Sequence, residues 1–147
     1  MEDLKLIVLD NIEEFGQKTD EYLKQLNETN DTYIIPITRD RFSNGEGKIK
    51  INGTVRDKEI YIISDVGNYN VTYNMHGFEH HMAPDEHFQD IKRVISAISG
   101  YASKIILVMP LLYESRQHKR KGKESLDCAI ALQELEALGV NHIVTFD

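Results

Sequence analysis

The sequence contains a single cysteine, Cys128, which excludes a framework of intramolecular disulfides and fits a reducing compartment. No apolar run approaches the roughly 18 residues that a membrane-spanning helix needs. The chain opens with Met-Glu-Asp-Leu, which lacks the cationic segment that begins a signal peptide. We therefore expect a cytoplasmic protein without a membrane segment.

Positive charge is also scarce, because 17 Lys and Arg residues face 24 Asp and Glu residues, for a formal net charge of -7. That balance argues against a general nucleic-acid binder, so any site for a polyanion must be local. A phosphate-cradling G-x-x-x-x-G-K-[ST] motif does not occur, which argues against a P-loop nucleotidase.

The sequence does contain an alternation of apolar runs and amphipathic helical patterns, in a length that suits one domain. We predict strands at 5–9, 32–37, 48–51, 59–64, 104–109 and 143–146, and helices at 12–26, 85–100 and 125–138, with Gly139 as a helix stop. Residues 66–84 read as one long loop. The central strands are apolar throughout, which predicts a three-layer α/β fold, with a mostly parallel sheet and helices on both faces.

A cationic segment at 116–123 follows the predicted strand 104–109. It carries five permanent positive charges in eight residues and no carboxylate: Arg116, Lys119, Arg120, Lys121 and Lys123. Loops at the carboxyl ends of strands bind ligands in open α/β sheets, so the segment is a candidate polyphosphate site. Arg116 offers a planar fork for phosphate oxygens, and the lysines offer compact charges. The competing interpretation is a solvated basic loop.

Residues 41–46 form a second candidate, a turn-forming segment with an aromatic side chain and a carboxylate. Phe42 would stack on a purine, and Asn44 and Glu46 would bond to its edges. The alternative is a tight turn with Phe42 tucked into the core.

Histidines and the cysteine offer weaker candidates. His76, His80, His81 and His87 lack a recognised ligand spacing, so we interpret them as solvent-facing loop residues rather than a metal site. Cys128 lies in a helical apolar pattern and is expected to be a small core residue.

Three segments together resemble the phosphoribosyl pyrophosphate synthetase (ribose-phosphate pyrophosphokinase) family. Residues 41–46, Arg-Phe-Ser-Asn-Gly-Glu, are similar to its R-F-S-[DN]-G-E, and 55–63 are similar to V-R-G-x-D-V-x-I-I. Residues 108–117 resemble V-I-P-Y-x-x-Y-A-R-Q. Residues 138–147 resemble A-G-A-x-x-V-x-T-x-D-L-H, ending at the aspartate.

The resemblance implies a phosphoribosyltransferase-like fold in which residues 1–147 are the amino-terminal of two domains. It also implies Mg²⁺-assisted transfer of diphosphate from ATP to ribose 5-phosphate, in a cytoplasmic homo-oligomer that binds neither nucleic acid nor membrane. Carried over by position, ATP-binding residues would be Phe42, Asn44, Glu46, Arg116 and Gln117, with the first three serving a neighbouring subunit. The catalytic loop would hold Lys119, Arg120, Lys121 and Lys123, and Asp147 would bind the metal.

The sequence also departs from the family pattern. Glu114-Ser115 adds one residue between tyrosine and arginine, His118 replaces an acidic residue, and 67–84 is longer than its counterpart. These departures leave open a catalytically silent homologue that regulates by joining synthetase-type oligomers. Because the sequence ends at the carboxyl end of a predicted strand, we expect a truncated piece or the front half of a longer protein. A small anion-binding domain is a third, weaker alternative.

Overall fold

A computed structural model describes residues 3–146, which fold as three helices and eight strands around a parallel sheet. In chain order the elements are β1 (Leu4–Val8), α1 (Glu13–Leu26), β2 (Ile37–Arg41), β3 (Gly47–Ile51), β4 (Glu59–Ile63), β5 (Thr72–Met75), β6 (Phe78–His81), α2 (Pro84–Ile98), β7 (Lys104–Val108), a 3-10 turn (Ser115–Gln117), α3 (Asp127–Leu138) and β8 (His142–Val144).

The central sheet has the order β1-β4-β7-β8, and each neighbouring pair is parallel. Ile7 lies opposite Ile62, and Ile62 lies opposite Leu107. All three side chains are completely buried. Burying a side chain of this size contributes about 1.5–3 kcal/mol, so this row across the sheet is a main source of stability.

Alternate strand residues point to opposite faces, and each face is covered by helices. The main core joins the strand residues Ile7 and Leu107 to Ile91 of α2 and Leu135 of α3. A smaller cluster on the other face includes Leu6, Ile63 and the α1 residue Leu23. The arrangement confirms the predicted α/β fold with a parallel sheet and helices on both faces.

Helix boundaries follow local signals. α2 begins at Pro84, whose missing N–H costs nothing at a first helical position, and carries Asp85 and Glu86 in its first turn. α3 begins at Asp127 rather than at the predicted residue 125 and ends at Gly139, which has a φ of 108°. That left-handed conformation confirms Gly139 as the helix stop. Cys128 is buried, as expected.

The strand predicted at 32–37 is wrong in most of its length. It makes one parallel bridge, between Ile34 and Leu6, at the edge of the sheet. The backbone N–H of Tyr33 donates to the buried carboxylate of Asp20 at 2.7 Å, and Pro36 has no N–H to offer. Because the Tyr33 N–H is already taken, the pairing with β1 does not extend toward residue 32; from Ile37 onward the chain pairs with β3 instead.

The long loop predicted at 66–84 is also wrong, because it contains the antiparallel hairpin of β5 and β6. His76 and Gly77 form its turn with φ values of 51° and 82°. Neither strand has the apolar alternation that indicates a half-buried strand. Two smaller differences are that β7 ends at Val108 and that β8 covers His142–Val144. Within residues 3–146, no helix has the length and apolarity to cross a bilayer.

Candidate functional site

The order of the strands reverses at β1, which has the Ile34 bridge on one side and β4 on the other. The chain reaches Ile34 through α1, on one face, whereas α2 and α3 connect the later strands on the opposite face. The carboxyl ends of β1 and β4 therefore flank a topological switch point. Ligands of open α/β sheets bind in the crevice at such points.

A buried polar network occupies this switch point. The Asn11 amide nitrogen donates to Ser64 Oγ and to His87 Nδ1, each at 3.0 Å. Its oxygen accepts from the Asp65 backbone N–H at 3.0 Å. His87 Nε2 donates to the Asn68 carbonyl at 2.7 Å, which assigns the proton to that nitrogen. The network ties β1, β4 and α2 together at the edge that carries the loops.

His87 corrects the prediction that the four histidines face solvent, because it lies in α2 and is buried. His76 and His81 are exposed and His80 is half-buried. No group of three His, Cys, Asp or Glu side chains within residues 3–146 is arranged to hold a metal ion.

The cationic segment follows β7 along the chain. It begins in the 3-10 turn Ser115–Gln117 and continues without regular structure. All of its charged side chains are exposed, while Gln117 is half-buried. Within the described part of the chain, none of these cations makes an ion pair: Arg116, Lys119, Arg120, Lys121 and Lys123. The segment thus presents positive charge without ion-pair partners beyond the carboxyl end of β7 in an acidic protein.

Acidic groups surround the start of this segment. The Tyr113 ring stacks on Phe88 at 4.2 Å, and its hydroxyl donates to Asp85 at 2.5 Å. Burial, together with the bond to Asp85, raises the pKa of Tyr113 well above its ordinary range. Burial raises the pKa of Glu114 as well, helped by repulsion from Asp127 and Asp85. The base of the loop is therefore fixed and acidic, whereas its continuation is cationic.

The second candidate segment is the turn between β2 and β3. Phe42 is 58% exposed, so the alternative in which it is tucked into the core is wrong. The Asn44 amide donates to Glu46 Oε1 at 2.7 Å, and the Glu46 N–H donates to Asn44 Oδ1 at 3.1 Å. Gly45 closes the turn by donating its N–H to the Phe42 carbonyl at 2.8 Å. An aromatic face, an amide and a carboxylate thus project from one short turn.

Sequence reasoning did not anticipate what supports this turn. The buried carboxylate of Asp90 in α2 lies 2.5 Å from Arg93, 3.6 Å from Arg41 and 3.7 Å from Arg39. Arg39 also pairs with Asp10 at 2.5 Å. The only signal in the sequence was the alternation of arginines with polar residues along β2. That pattern is typical of a solvent-exposed strand, because the buried partner Asp90 belongs to a distant helix.

The two candidate segments have different neighbours within the chain. The turn at 42–46 contacts the β5–β6 hairpin, whereas the cationic segment starts beside Asp85 and Asp127. No hydrogen bond or ion pair among the described residues joins 42–46 to 116–123. Asp147, the predicted metal ligand, lies outside the described residues.

Comparison with known proteins gives a family match for this chain. Residues 4–139 match the family described as the N-terminal domain of ribose phosphate pyrophosphokinase. Ribose-phosphate pyrophosphokinase 1 of Schizosaccharomyces pombe is 30% identical over 113 residues, which are 76% of this chain and 24% of that protein. Ribose-phosphate pyrophosphokinase B of Dictyostelium discoideum is 27% identical over 108 residues, which are 73% of this chain and 29% of that protein.

The fold is similar to the crystal structure of phosphoribosylpyrophosphate synthetase from Mycobacterium smegmatis. The TM-score is 0.72 at 18% identity, over 97% of this chain and 42% of that chain. This chain therefore spans less than half of each of these three relatives.

Proposed function

The chain belongs to the ribose-phosphate pyrophosphokinase family, matching its N-terminal domain, and from that membership we propose that it is the ATP-binding half of a ribose-phosphate diphosphokinase. One observation carries the proposal. The exposed turn 42–46 and the unpaired cationic segment 116–123 have complementary chemistry for a nucleotide, and among the described residues they share no hydrogen bond or ion pair within one chain. In the proposed site, the turn of one copy and the cationic segment of another bind one ATP.

The turn suits the adenine end of ATP. Phe42 offers a flat apolar face for stacking. Asn44 and Glu46 already exchange hydrogen bonds with each other, so their polar atoms are held in a common orientation. The Glu46 carboxylate would accept from the exocyclic amino group of adenine, and Asn44 would serve a ring nitrogen.

The cationic segment suits the phosphates. Arg116 and Gln117 would hold ATP, and Lys119, Arg120, Lys121 and Lys123 would neutralise charge during transfer. In the proposed reaction the 1-hydroxyl oxygen of ribose 5-phosphate forms a bond to the β-phosphorus of ATP. The bond from that phosphorus to the α,β-bridging oxygen breaks, AMP leaves, and the hydroxyl proton is released. Phosphoryl transfer depends mainly on positioning and charge stabilisation, which this segment can supply.

Mg²⁺ would accompany the phosphates of ATP. The described residues do not form a metal cage, and the proposal assigns to the ion only Asp147 from this chain. That assignment agrees with the chemistry of Mg²⁺, which is usually held by one or two carboxylates together with substrate phosphates. The ion would neutralise phosphate charge. The ribose 5-phosphate pocket is assigned to a second domain.

Glu114 favours a second candidate function, a catalytically silent homologue that joins synthetase-type oligomers. It occupies the extra position before Arg116, has a left-handed φ of 58° and lies near two other carboxylates. A carboxylate at the entrance to the phosphate loop would repel ATP. Such a protein would assemble with an active synthetase without forming phosphoribosyl pyrophosphate by itself.

A mixing experiment on the complete natural polypeptide that contains these residues tests the main proposal. Phe42→Ala and Arg116→Ala are prepared separately and as a co-expressed, doubly tagged mixture. We expect each variant alone to form phosphoribosyl pyrophosphate at least about tenfold more slowly, because a contact worth about 1.4 kcal/mol or more is lost. Random pairing should restore about a quarter of wild-type activity, since one site of each mixed pair is intact.

The matched control is Arg56→Ala, an exposed arginine outside both segments, which should leave activity unchanged. Full activity of either single variant would contradict the roles of Phe42 or Arg116. Absence of recovery in the purified mixed oligomer would contradict a site shared between copies. A wild-type protein that is inactive alone but assembles with an active synthetase would favour the silent homologue.

A further inference from the structure

The hairpin formed by β5 and β6 has no role in the proposed chemistry, yet it contacts the turn that would hold the base. Neither of its strands contains a buried residue, and an isolated two-stranded hairpin is marginally stable at best. Aromatic stacking holds it together: Tyr69 stacks on His81 at 4.3 Å, and Tyr73 stacks on His80 at 5.8 Å. Its stability in place therefore depends on contacts with the rest of the protein.

The base of the hairpin is anchored in the arginine cluster. The buried Met82, directly after β6, donates its N–H to the Val71 carbonyl at 2.8 Å. Its sulfur accepts from the guanidinium of Arg39 at 2.7 Å. Burial and a hydrogen bond with Glu86 raise the pKa of Tyr73. That hydrogen bond connects β5 to the first turn of α2. The hairpin thus has a fixed starting point beside β2.

The far end of the hairpin meets the turn at alternate residues. The Arg41 guanidinium lies 4.5 Å from the centre of the Tyr73 ring. The His76 N–H donates to the Ser43 carbonyl at 2.7 Å. A Cβ placed on Gly45 would lie 2.8 Å from the Met75 sulfur, so only glycine fits there without movement of that side chain.

The side chains of this turn that face solvent are Phe42, Ser43, Asn44 and Glu46. Three of them carry the proposed base contacts, Phe42, Asn44 and Glu46, and the backbone between them meets the hairpin at Ser43 and Gly45. We propose that the β5–β6 hairpin is a positioning element for nucleobase recognition, which holds the backbone of 41–45 so that these three side chains are presented together. This inference rests on the proposed function of the turn.

The expected effect follows from preorganisation. A turn that is correctly formed only about a tenth of the time binds its ligand with an apparent Kd about tenfold higher. The hairpin lies far along the chain from the cationic segment and makes no described contact with it. Loosening the hairpin should therefore raise KM for ATP and leave kcat unchanged. A general loss of folded protein would instead lower the apparent kcat.

Tyr73→Leu tests the inference, with Tyr22→Leu as its matched control, because Tyr22 is an exposed tyrosine of α1, outside both the hairpin and the turn. Amide hydrogen exchange of the 147-residue chain reports on His76 and Gly45 in the contact and on Leu107 in the core. We expect exchange at His76 and Gly45 to accelerate about tenfold in Tyr73→Leu, with Leu107 unchanged. The KM for ATP of the complete natural polypeptide should rise about tenfold in Tyr73→Leu, and Tyr22→Leu should retain wild-type values.

Unchanged exchange at both reporter amides in Tyr73→Leu would overturn the inference, and so would faster exchange without a change in KM. If Leu107 also exchanges faster, Met75→Ala is judged by the same criteria, since it removes the sulfur beside Gly45 from an exposed hairpin. The variant Phe42→Ala distinguishes failure of the proposed function from failure of the positioning role. An unchanged KM for ATP in Phe42→Ala contradicts the proposed function itself. If Phe42→Ala alters KM but Tyr73→Leu leaves amide exchange in the turn unchanged, only the positioning role is contradicted.

Discussion

At the scale of the residue, Glu114 lies where the acidic base of the loop changes into the cationic segment. Its backbone is in the left-handed region, and burial raises the pKa of its carboxyl, with Asp127 and Asp85 adding repulsion. The folded state therefore favours the protonated form more than the unfolded chain does. The resulting contribution to stability is present below the ordinary pKa of 4.5 and is lost as pH rises through the raised value.

Glu114→Gln should accordingly make the chain more stable than the wild type at pH 7, because it removes a charge that the fold disfavours. The difference in the free energy of unfolding should shrink toward pH 4, where the wild-type carboxyl is protonated. Urea unfolding from pH 4 to pH 8 measures both trends. Glu124→Gln, on an exposed side chain of the same loop, is the control. A difference that is constant with pH would contradict the assignment to Glu114.

At the scale of the element, the buried strands and β3 were predictable, whereas β2 and the β5–β6 hairpin were not. Residues such as Ile62 and Leu107 lie in runs that are apolar on both faces, and that pattern is specific to central parallel strands. The inward residues of β2 include Arg39 and Arg41, whose partner Asp90 lies about fifty positions later. Pairing over such a distance leaves no trace in local periodicity.

The candidate site was also predictable from the sequence only in part. The exposed position of the turn 42–46 and of the segment 116–123 agrees with what the sequence motifs indicated. The buried His87 was misjudged because its partners, Asn11 and the Asn68 carbonyl, come from distant parts of the chain. The bracing of the turn by β5 and β6 was equally hidden, since it depends on stacked rings and on a single backbone hydrogen bond.

A helix boundary offers a direct test at this scale. Gly139→Ala should destabilise the chain by about 1–2 kcal/mol, since a Cβ disfavours the left-handed region. Space is not the cause, because the nearest atom to that Cβ would be Ser99 Oγ at 3.6 Å. Thermal unfolding should show a fall of several degrees, on the order of 2–8 °C. Gly139→Asn should lose less, because asparagine tolerates this conformation; equal losses would contradict a conformational origin.

At the scale of the whole molecule, the net charge of -7 coexists with a local excess of positive charge, and the proposed anion site is therefore confined to one edge of the sheet. The turn 42–46, proposed to hold the nucleobase, contacts the β5–β6 hairpin instead. In the proposed shared site, one copy holds only one end of a given ATP. Its affinity for ATP should depend on self-association.

ATP titration at increasing concentrations of the 147-residue chain tests this dependence. A chain that sedimentation shows to be monomeric should bind ATP with a Kd no better than about 1 mM, since half a site supplies only about 4 kcal/mol. Tripolyphosphate should compete for the cationic segment of the monomer and lose affinity as salt rises, whereas adenosine should be insensitive to salt. Affinity for ATP should increase with the fraction of associated chain, because association brings the turn and the cationic segment of different copies together. Tight binding by a verified monomer would show that one copy holds the whole nucleotide, and it would contradict a site shared between copies.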